Sequence, residues 1–451
     1  MGNQDGMHVR SRVSWTVLPA ALTLVLGAST VGATAPSDAQ AEGKDDKGAA
    51  YDLVIRRGHV VDPKNGIDGV RDVAVKDGKI AKVARSIDAS GAEKTVDAKG
   101  DYVTPGLIDM HAHMFPGPKQ DYANGWHGVA PDGFTLRAGV TTAVDTGSSG
   151  ASNFDQFKTE VIDKSNTRVL AFLNIVGKGM AGHPFEQDLS DMEPGPAAEV
   201  AKANPGTIVG IKTAHYNGPE WDPVDNSVKA GEEAGVPVMV DFGANTPERP
   251  LSQLLNEKLR PGDVYSHMFS GLRGELGKDG KLNPAMQQGR DRGVVFEVGH
   301  GGGSFSWDVA VPGMKEGFTP DVISTDLHIS SMNSGMKDMS NVMSKFLTLG
   351  MPLEDVIEAS TWTPAQTIQR PDLGNLSVGA PADIAVFSLE KGKFGYVDSF
   401  GWRIDGKQKL VAETTFRDGK AVWDLNGKAA NEWYPGANPP KASADEDHEH
   451  Q

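Results

Sequence analysis

The stretch Val103-Thr-Pro-Gly-Leu-Ile-Asp-Met-His-Ala-His113 decides how this 451-residue chain is interpreted. It is an apolar, strand-like run that ends in two histidines separated by one residue. Successive side chains of a strand point to opposite faces, so His111 and His113 share a face and the alanine between them points away. Two imidazoles on one face at a strand end can bind a metal ion together. The spacing alone is weak evidence, because residues 448 and 450 form another such pair.

Short apolar runs alternate with amphipathic helical patterns through the middle of the chain. Helices are predicted at 153–166, 227–234, 284–292 and 338–349. Eight strands alternating with helices indicate an α/β fold, a (β/α)8 TIM barrel. A doubly wound open sheet is the alternative, but no glycine-rich phosphate loop follows the first strand. The eight predicted strands are residues 103–109, 140–145, 168–175, 208–212, 237–241, 263–267, 294–298 and 322–326.

Two strand-rich segments flank the barrel region, which we place at residues 103–375. Alternating apolar and polar residues predict strands in both segments, and Asp77-Gly78 is a hairpin turn. We therefore predict a small composite β-sandwich domain made of residues 51–102 and 376–430. Its predicted strands are residues 51–62, the 73–83 hairpin, 382–387, 410–416 and 420–423.

Residues 1–41 have the features of a secretory signal peptide. A short basic stretch precedes the apolar run from Trp15 to Leu26, and Ala39-Gln40-Ala41 fits a small-residue cleavage site. The run is too short to span a bilayer, and the alternative is a disordered N-terminal extension. Residues 42–50 are predicted to be a linker, and the charged residues 431–451 a disordered tail. We expect a secreted or periplasmic protein.

The formal net charge of −16 comes from 60 acidic and 44 basic side chains. Such an acidic surface argues against nucleic acid and against an anionic membrane as partners, and leaves a small molecule as the expected partner. The chain contains no cysteine, which excludes disulfides and zinc–thiolate sites. Any metal ion must therefore be bound by histidines and carboxylates.

Ionisable side chains follow several of the predicted strands, at the barrel end where this architecture places its chemistry. Lys212 closes the apolar run Ile208-Val-Gly-Ile-Lys212, where a bare ammonium would be costly to bury. It is interpreted either as a lysine that reaches a carboxylate at the rim or as a carbamylated lysine that bridges two metal ions. The strand-end residues are His111, His113, Lys212, Asp241, His267 and Asp326.

The chain resembles the amidohydrolase superfamily, and within it the deacetylases that are similar to dihydroorotases. The resemblance extends from about Tyr51 to Trp423, and several motifs in order are more specific than any one of them. The matching stretches are 103–113, 131–142, 209–212, 259–263, 298–301, 323–328, 343–347 and the closing motif 378–387.

This resemblance implies a binuclear metal centre. His111, His113 and Asp326 would hold the first ion, a carboxylated Lys212 would bridge, and His267 would hold the second. The implied ions are two divalent cations, Zn²⁺ first and Mn²⁺ or another ion as alternatives. The implied reaction is attack of a metal-bound hydroxide on a carbonyl carbon. Asp326 would be the catalytic carboxylate that carries the proton to the leaving group.

Strand five departs from the pattern of the superfamily, which usually has a histidine ligand there. This chain has Val238-Met-Val-Asp241 instead. We predict that Asp241 replaces imidazole as an oxygen ligand, and the alternative is a carboxylate that bonds only to neighbouring backbone. With Asp241 as a ligand the centre carries no net charge, so it should acidify bound water less than a centre with histidine.

Two further histidines are candidates for substrate binding. His300 lies in Gly299-His-Gly301, where small neighbours allow a ligand to approach closely, and its alternative is a buried structural ring. His215 follows strand four, and a loop role is its alternative.

Three functions remain open from the sequence. The first is an exported metal-dependent amidohydrolase. It would remove an acetyl group from a small molecule, or cleave another amide or related acyl bond of it. The second is a cyclic amidase that opens a dihydroorotate- or hydantoin-like ring. The third is a barrel that binds a ligand without catalysis. Fold similarity supports hydrolysis only as a class, and the sequence assigns neither a substrate nor an oligomeric state.

Overall fold

The computed structural model describes residues 51–118, 125, 127–241 and 246–437. The predicted signal peptide and linker lie outside these residues, as does most of the predicted tail. Within the described residues, no helix is both long enough and apolar enough to cross a bilayer.

The described part of the chain contains fifteen strands, eleven α-helices and six short 3₁₀- or π-helical segments. The strands are β1 (Leu53–Asp62), β2 (Ile67–Lys76), β3 (Lys79–Ala84), β4 (Lys94–Asp97), β5 (Tyr102–Pro105), β6 (Leu107–Ala112), β7 (Val140–Gly150), β8 (Arg168–Asn174), β9 (Ile208–Thr213), β10 (Val238–Val240), β11 (Val264–Tyr265), β12 (Val295–Phe296), β13 (Ile384–Val397), β14 (Arg403–Arg417) and β15 (Lys420–Asp424). The helices are α1 (Phe154–Glu160), α2 (His183–Glu186), α3 (Pro194–Ala203), α4 (Asp222–Ala234), α5 (Leu251–Gln253), α6 (Pro284–Asp291), α7 (Trp307–Lys315), α8 (Ile329–Asn333), α9 (Met339–Thr348), α10 (Leu353–Glu358) and α11 (Trp362–Thr367).

Strands β6 to β12 form one parallel sheet in chain order. Residues 322–327 take the eighth position, since parallel bridges join Val322 to Glu297 and Leu327 to Ala112. The sheet thus closes on itself, and the predicted (β/α)8 barrel is confirmed. Apolar side chains from around the barrel pack together in one core: Ile108, Met110, Val144, Leu170, Phe172, Val209, Met239, Val264 and Val322.

The predicted composite β-domain from both chain ends is also confirmed. Its strands hydrogen-bond into one eight-stranded sheet in the order β15-β14-β13-β5-β1-β2-β3, with β4 beside β1. Strands from both ends share one apolar core, which includes Val60, Val75, Ile384 and Phe416. The hairpin turned on Asp77-Gly78 joins β2 to β3 as expected.

The strand predicted at residues 103–109 is in fact two strands in different sheets. β5 pairs with β13 of the composite sheet, whereas β6 pairs with β7 of the barrel. Gly106 joins them where the chain passes closest to Thr141, and a Cβ at this glycine would lie 2.2 Å from Thr141 Oγ1. The chain therefore passes from the composite sheet to the barrel sheet at Gly106.

The hairpin formed by β13 and β14 is attached to the loop after β12 through a buried lysine of α9. Lys345 Nζ donates hydrogen bonds to the carbonyl oxygens of Gly335 (2.7 Å) and Val397 (2.8 Å). Its third partner is His300 Nε2, at 2.6 Å. Lys345 therefore ties the hairpin end and two barrel loops together, next to the carboxyl ends of the barrel strands.

Substitution of Gly106 by alanine should destabilise the protein by about 1–3 kcal/mol, because the new methyl group overlaps Thr141. The free energy of unfolding in urea measures this. Gly133→Ala is the matched control, since a Cβ there meets no described atom within 4 Å, and it should change stability by less than about 0.5 kcal/mol. Equal stability of the two variants would contradict the close approach.

Burial lowers the pKa of Lys345 to about 7. Between about pH 7 and pH 10, the unfolded chain then binds more protons at this position than the folded chain, so stability contributed by this group rises with pH. The free energy of unfolding of the wild type should therefore rise relative to Lys345→Met across this window. Urea titrations at several pH values measure the difference, with exposed Lys315→Met as control. A constant difference between wild type and Lys345→Met would refute the assignment.

Candidate metal centre

The six side chains predicted at strand ends converge at the carboxyl end of the barrel. Two groups of three potential ligands form there, each with its ligand atoms within 4.8 Å of one another. All of these residues are buried. The first group contains His111, His113 and Asp326, and the second contains His111, Asp241 and His267. His111 therefore lies between two potential metal positions.

The first group brings strand β6 together with the eighth barrel segment. Asp326 Oδ1 lies 3.0 Å from His113 Nε2 and 3.6 Å from His111 Nε2. The opposite nitrogen of His113, Nδ1, lies 3.2 Å from Ser148 Oγ. This contact orients the ring so that Nε2 points at the carboxylate. Asp326 itself has a left-handed backbone (φ 52°), which is costly for a non-glycine residue and typical of functional sites.

The second group joins the ends of β10 and β11. His267 Nε2 lies 3.1 Å from Asp241 Oδ1, and His267 Nδ1 donates a hydrogen bond to the carbonyl oxygen of Gly299 at 2.6 Å. His267 also has a left-handed backbone (φ 60°). The predicted departure at strand five is thus part of the cluster, since Asp241 faces the other ligand candidates.

Lys212 at the end of β9 lies between the two groups. Its Nζ is 3.3 Å from His111 Nε2 and 3.5 Å from Asp241 Oδ2, and the side chain is fully buried. It points into the cluster and not to the rim. A carboxylated amine at this position would place its oxygens among the ligands of both groups.

The electrostatics of the cluster favour ionised carboxylates and a neutral His111, whereas at His267 burial is outweighed by the Asp241 carboxylate, which raises the pKa of that ring. Burial alone would raise the pKa of Asp326, but the neighbouring His111, His328 and His113 hold it well below its usual value. At Asp241, burial also acts to raise the pKa, but the neighbouring His267 and Lys212 hold it well below its usual value. Desolvation lowers the pKa of His111 to about 4. At neutral pH the two carboxylates are therefore ionised and His111 is neutral, as metal binding requires.

Two charged residues of the site were missed by the sequence analysis. Glu297 is fully buried, accepts a hydrogen bond from Ser266 Oγ at 2.5 Å, and lies 3.4 Å from His111 Nδ1. A carboxylate inside the apolar run 294–298 was an available signal for it. Arg273 Nη2 lies 3.2 Å from Asp241 Oδ1. It follows β11 in a loop, and no local pattern marks it.

The two predicted substrate-binding histidines have different surroundings. His215 comes to the cluster, with Nε2 3.9 Å from Asp241 Oδ2. The His300 ring is fully buried and stacks on Phe305 at a centroid distance of 4.5 Å. Its Nδ1 lies 2.9 Å from the carbonyl oxygen of Gly301, and Lys345 contacts its Nε2. The structure therefore favours the structural alternative for His300 over substrate contact.

The donor set fits a pair of divalent ions. It offers imidazole nitrogens and carboxylate oxygens, which suit Zn²⁺ and Mn²⁺, and both three-donor groups are preformed. The nitrogens that face away from the cluster are bonded to protein groups, as is usual for metal-binding histidines.

Comparison with known proteins agrees with this geometry. The model of the amidohydrolase family matches residues 307–422. A deacetylase of Brucella anthropi is 36% identical over 348 residues, covering 74% of this chain and 83% of the relative. The crystal structure of an adenine deaminase has a TM-score of 0.75 at 29% identity, covering 83% of this chain and 100% of that one. A dihydroorotase structure has a TM-score of 0.72 at 30% identity, covering 82% of this chain and 99% of the dihydroorotase chain. The chain therefore belongs to the amidohydrolase superfamily, as a deacetylase-like hydrolase of carbon–nitrogen bonds other than peptide bonds.

Proposed function

We propose that the protein is an exported, metal-dependent deacetylase that hydrolyses an amide or related acyl bond of a small molecule. The observation that carries this proposal is the pair of three-donor groups that share His111, with Lys212 between them. The likeness to a deacetylase supports the choice of substrate class. Export rests on the signal-peptide features of residues 1–41.

In this proposal His111, His113 and Asp326 would hold one ion, and Asp241 and His267 would hold the other. Lys212, carboxylated on Nζ, would supply oxygen ligands to both. When bound, the two divalent ions, Zn²⁺ or Mn²⁺, polarise the substrate carbonyl and lower the pKa of the attacking water. The buried, preformed arrangement keeps the donors in position before substrate arrives.

Asp326 moves the proton in this reaction. Water loses a proton to the Asp326 carboxylate as its oxygen forms the new bond to the carbonyl carbon. Asp326 then returns the proton to the nitrogen as the carbon–nitrogen bond breaks. Gly301 keeps the carboxylate accessible, because a Cβ at that glycine would lie 2.5 Å from Asp326 Oδ2.

A cyclic amidase is the second candidate, and the likeness to a dihydroorotase favours it. Both candidates use the same attack on a carbonyl, so only the substrate separates them. The third candidate is a barrel that binds a ligand without catalysis, and such a protein would not require two metal ions.

A substrate panel tests these functions with purified, metal-loaded protein. Release of acetate from N-acetylated amino acids supports the deacetylase, whereas opening of dihydroorotate or hydantoin rings supports the cyclic amidase. Asp326→Asn should lower turnover by about 10²–10⁴-fold, because the proton carrier is lost, while the circular dichroism spectrum stays native. Asp308→Asn, an exposed carboxylate of α7, is the control. Absence of turnover with two bound ions per chain would leave only the binding barrel.

The charge of the strand-five ligand should set the pH dependence of the reaction. Asp241→His replaces an anion with a neutral ligand, so the centre becomes more positive and the pKa of the attacking water falls. The acidic limb of the pH–rate profile should therefore move to lower pH, with two ions still bound. If Asp241→Asn retains wild-type metal content and affinity, Asp241 is not a ligand.

A further inference from the structure

His215 lies beside the second metal position, yet it belongs to the loop after β9 and not to a strand end. We propose that His215 is an additional ligand of the second ion and that Glu186 holds it in place. This inference rests on the proposed two-metal centre. It adds a nitrogen donor near Asp241 Oδ2, whereas His267 lies near Oδ1 of the same carboxylate.

The contacts of His215 set the direction of its ring. Its Nδ1 lies 3.1 Å from Glu186 Oε1, a buried carboxylate at the end of α2. Because an ionised carboxylate only accepts, the neutral ring carries its proton on Nδ1, and Nε2 then carries the lone pair that a metal ion needs. That Nε2 is directed towards Asp241, at 3.9 Å from Oδ2.

The backbone around His215 is held by the same short segment. The side-chain amide of Gln187 donates to the carbonyl oxygen of His215 at 2.8 Å and accepts from the backbone N–H of Asn217, also at 2.8 Å. His215 has a left-handed backbone (φ 60°), like His267 and Asp326. The loop is therefore fixed in a strained conformation that turns this imidazole inward.

His215 shares the arrangement of the three histidines already assigned to the centre. Each of those directs Nε2 into the cluster, and Nδ1 contacts Ser266 Oγ in His111, Ser148 Oγ in His113 and the Gly299 carbonyl in His267. A carboxylate bonded to the outer nitrogen, as Glu186 is here, is the usual partner of a metal-binding histidine. His300, in contrast, has both nitrogens in contact with protein groups away from the cluster.

The distances suit a shared ion. Nitrogen and oxygen ligands each lie about 2.0–2.2 Å from zinc, so two ligands of one ion are separated by about 3–3.7 Å. His267 Nε2 approaches Asp241 Oδ1 at 3.1 Å, and His215 Nε2 approaches Oδ2 at 3.9 Å. The two imidazoles thus flank one carboxylate, and the distance from His215 Nε2 to Asp241 Oδ2 exceeds this range by only a few tenths of an ångström.

Metal binding by the full-length protein tests the inference without relying on activity. Metal-free wild type, His215→Ala and Glu186→Ala would be titrated with Zn²⁺ against a chromophoric chelator and analysed for metal after gel filtration. We expect His215→Ala to bind one of its two Zn²⁺ equivalents with an affinity at least 10-fold lower than that of the wild type. Glu186→Ala should weaken the same equivalent by about 10-fold, since it only orients the ring. His183→Ala, an exposed histidine of α2, should match the wild type.

The Co²⁺-substituted proteins give a second readout. Loss of a nitrogen ligand should change the visible absorption of the weaker site in His215→Ala and leave it unchanged in His183→Ala. The inference would be overturned if His215→Ala bound two Zn²⁺ equivalents with unchanged affinity and its Co²⁺ spectrum were unchanged. If the KM of that variant nevertheless rose, His215 would be assigned to substrate binding instead. A wild type that binds fewer than two ions would overturn the two-metal proposal itself.

Discussion

Closure of the barrel between its first and last strands is the constraint on which the site depends. The backbone of Leu327 pairs with that of residues 111 and 113, which brings Asp326 to the histidine pair. This pairing gathers ionisable groups where water is largely excluded. Such groups are costly to bury unless they are paired or bind metal. Lys212 and Asp241 meet this condition only as members of the cluster, since each is buried and faces an opposite charge.

Backbone strain is concentrated at the same place. Among the residues that the structure describes, eight non-glycine residues have a positive φ, and three of them are His215, His267 and Asp326 at the cluster. Each such residue costs on the order of 1–3 kcal/mol and persists only where surrounding contacts determine the conformation. Those contacts come from Gln187 at His215 and from the Gly299 carbonyl at His267. The scaffold therefore stabilises ligand directions that the local chain would not adopt.

The sequence predicted the strands and six clustered residues because each carries a local signal, an apolar run that ends in a ligand-type side chain. It did not predict the division of the first strand, since the apolar pattern runs unbroken across Gly106 while the hydrogen-bond partners change. Nor did it predict the contacts of Glu186 or Arg273. Those contacts join residues about 30 positions apart, through loops whose course depends on the whole barrel.

The contacts of Arg273 and Glu297 also change the electrostatic argument drawn from the ligands alone. Arg273 lies 3.2 Å from Asp241, and its positive charge draws electron density from that carboxylate. Asp241 thereby becomes a weaker donor than a free carboxylate, which brings it closer to a neutral ligand. Glu297 acts in the opposite sense on the other side, since its negative charge beside Nδ1 makes His111 a stronger donor. The formal charges of these two residues sum to zero, but each charge acts on a different ligand candidate. In the proposed reaction, an ion held by Asp241 and His267 would therefore be the more electrophilic one and would suit the carbonyl oxygen, with proton transfer by Asp326 on the opposite side.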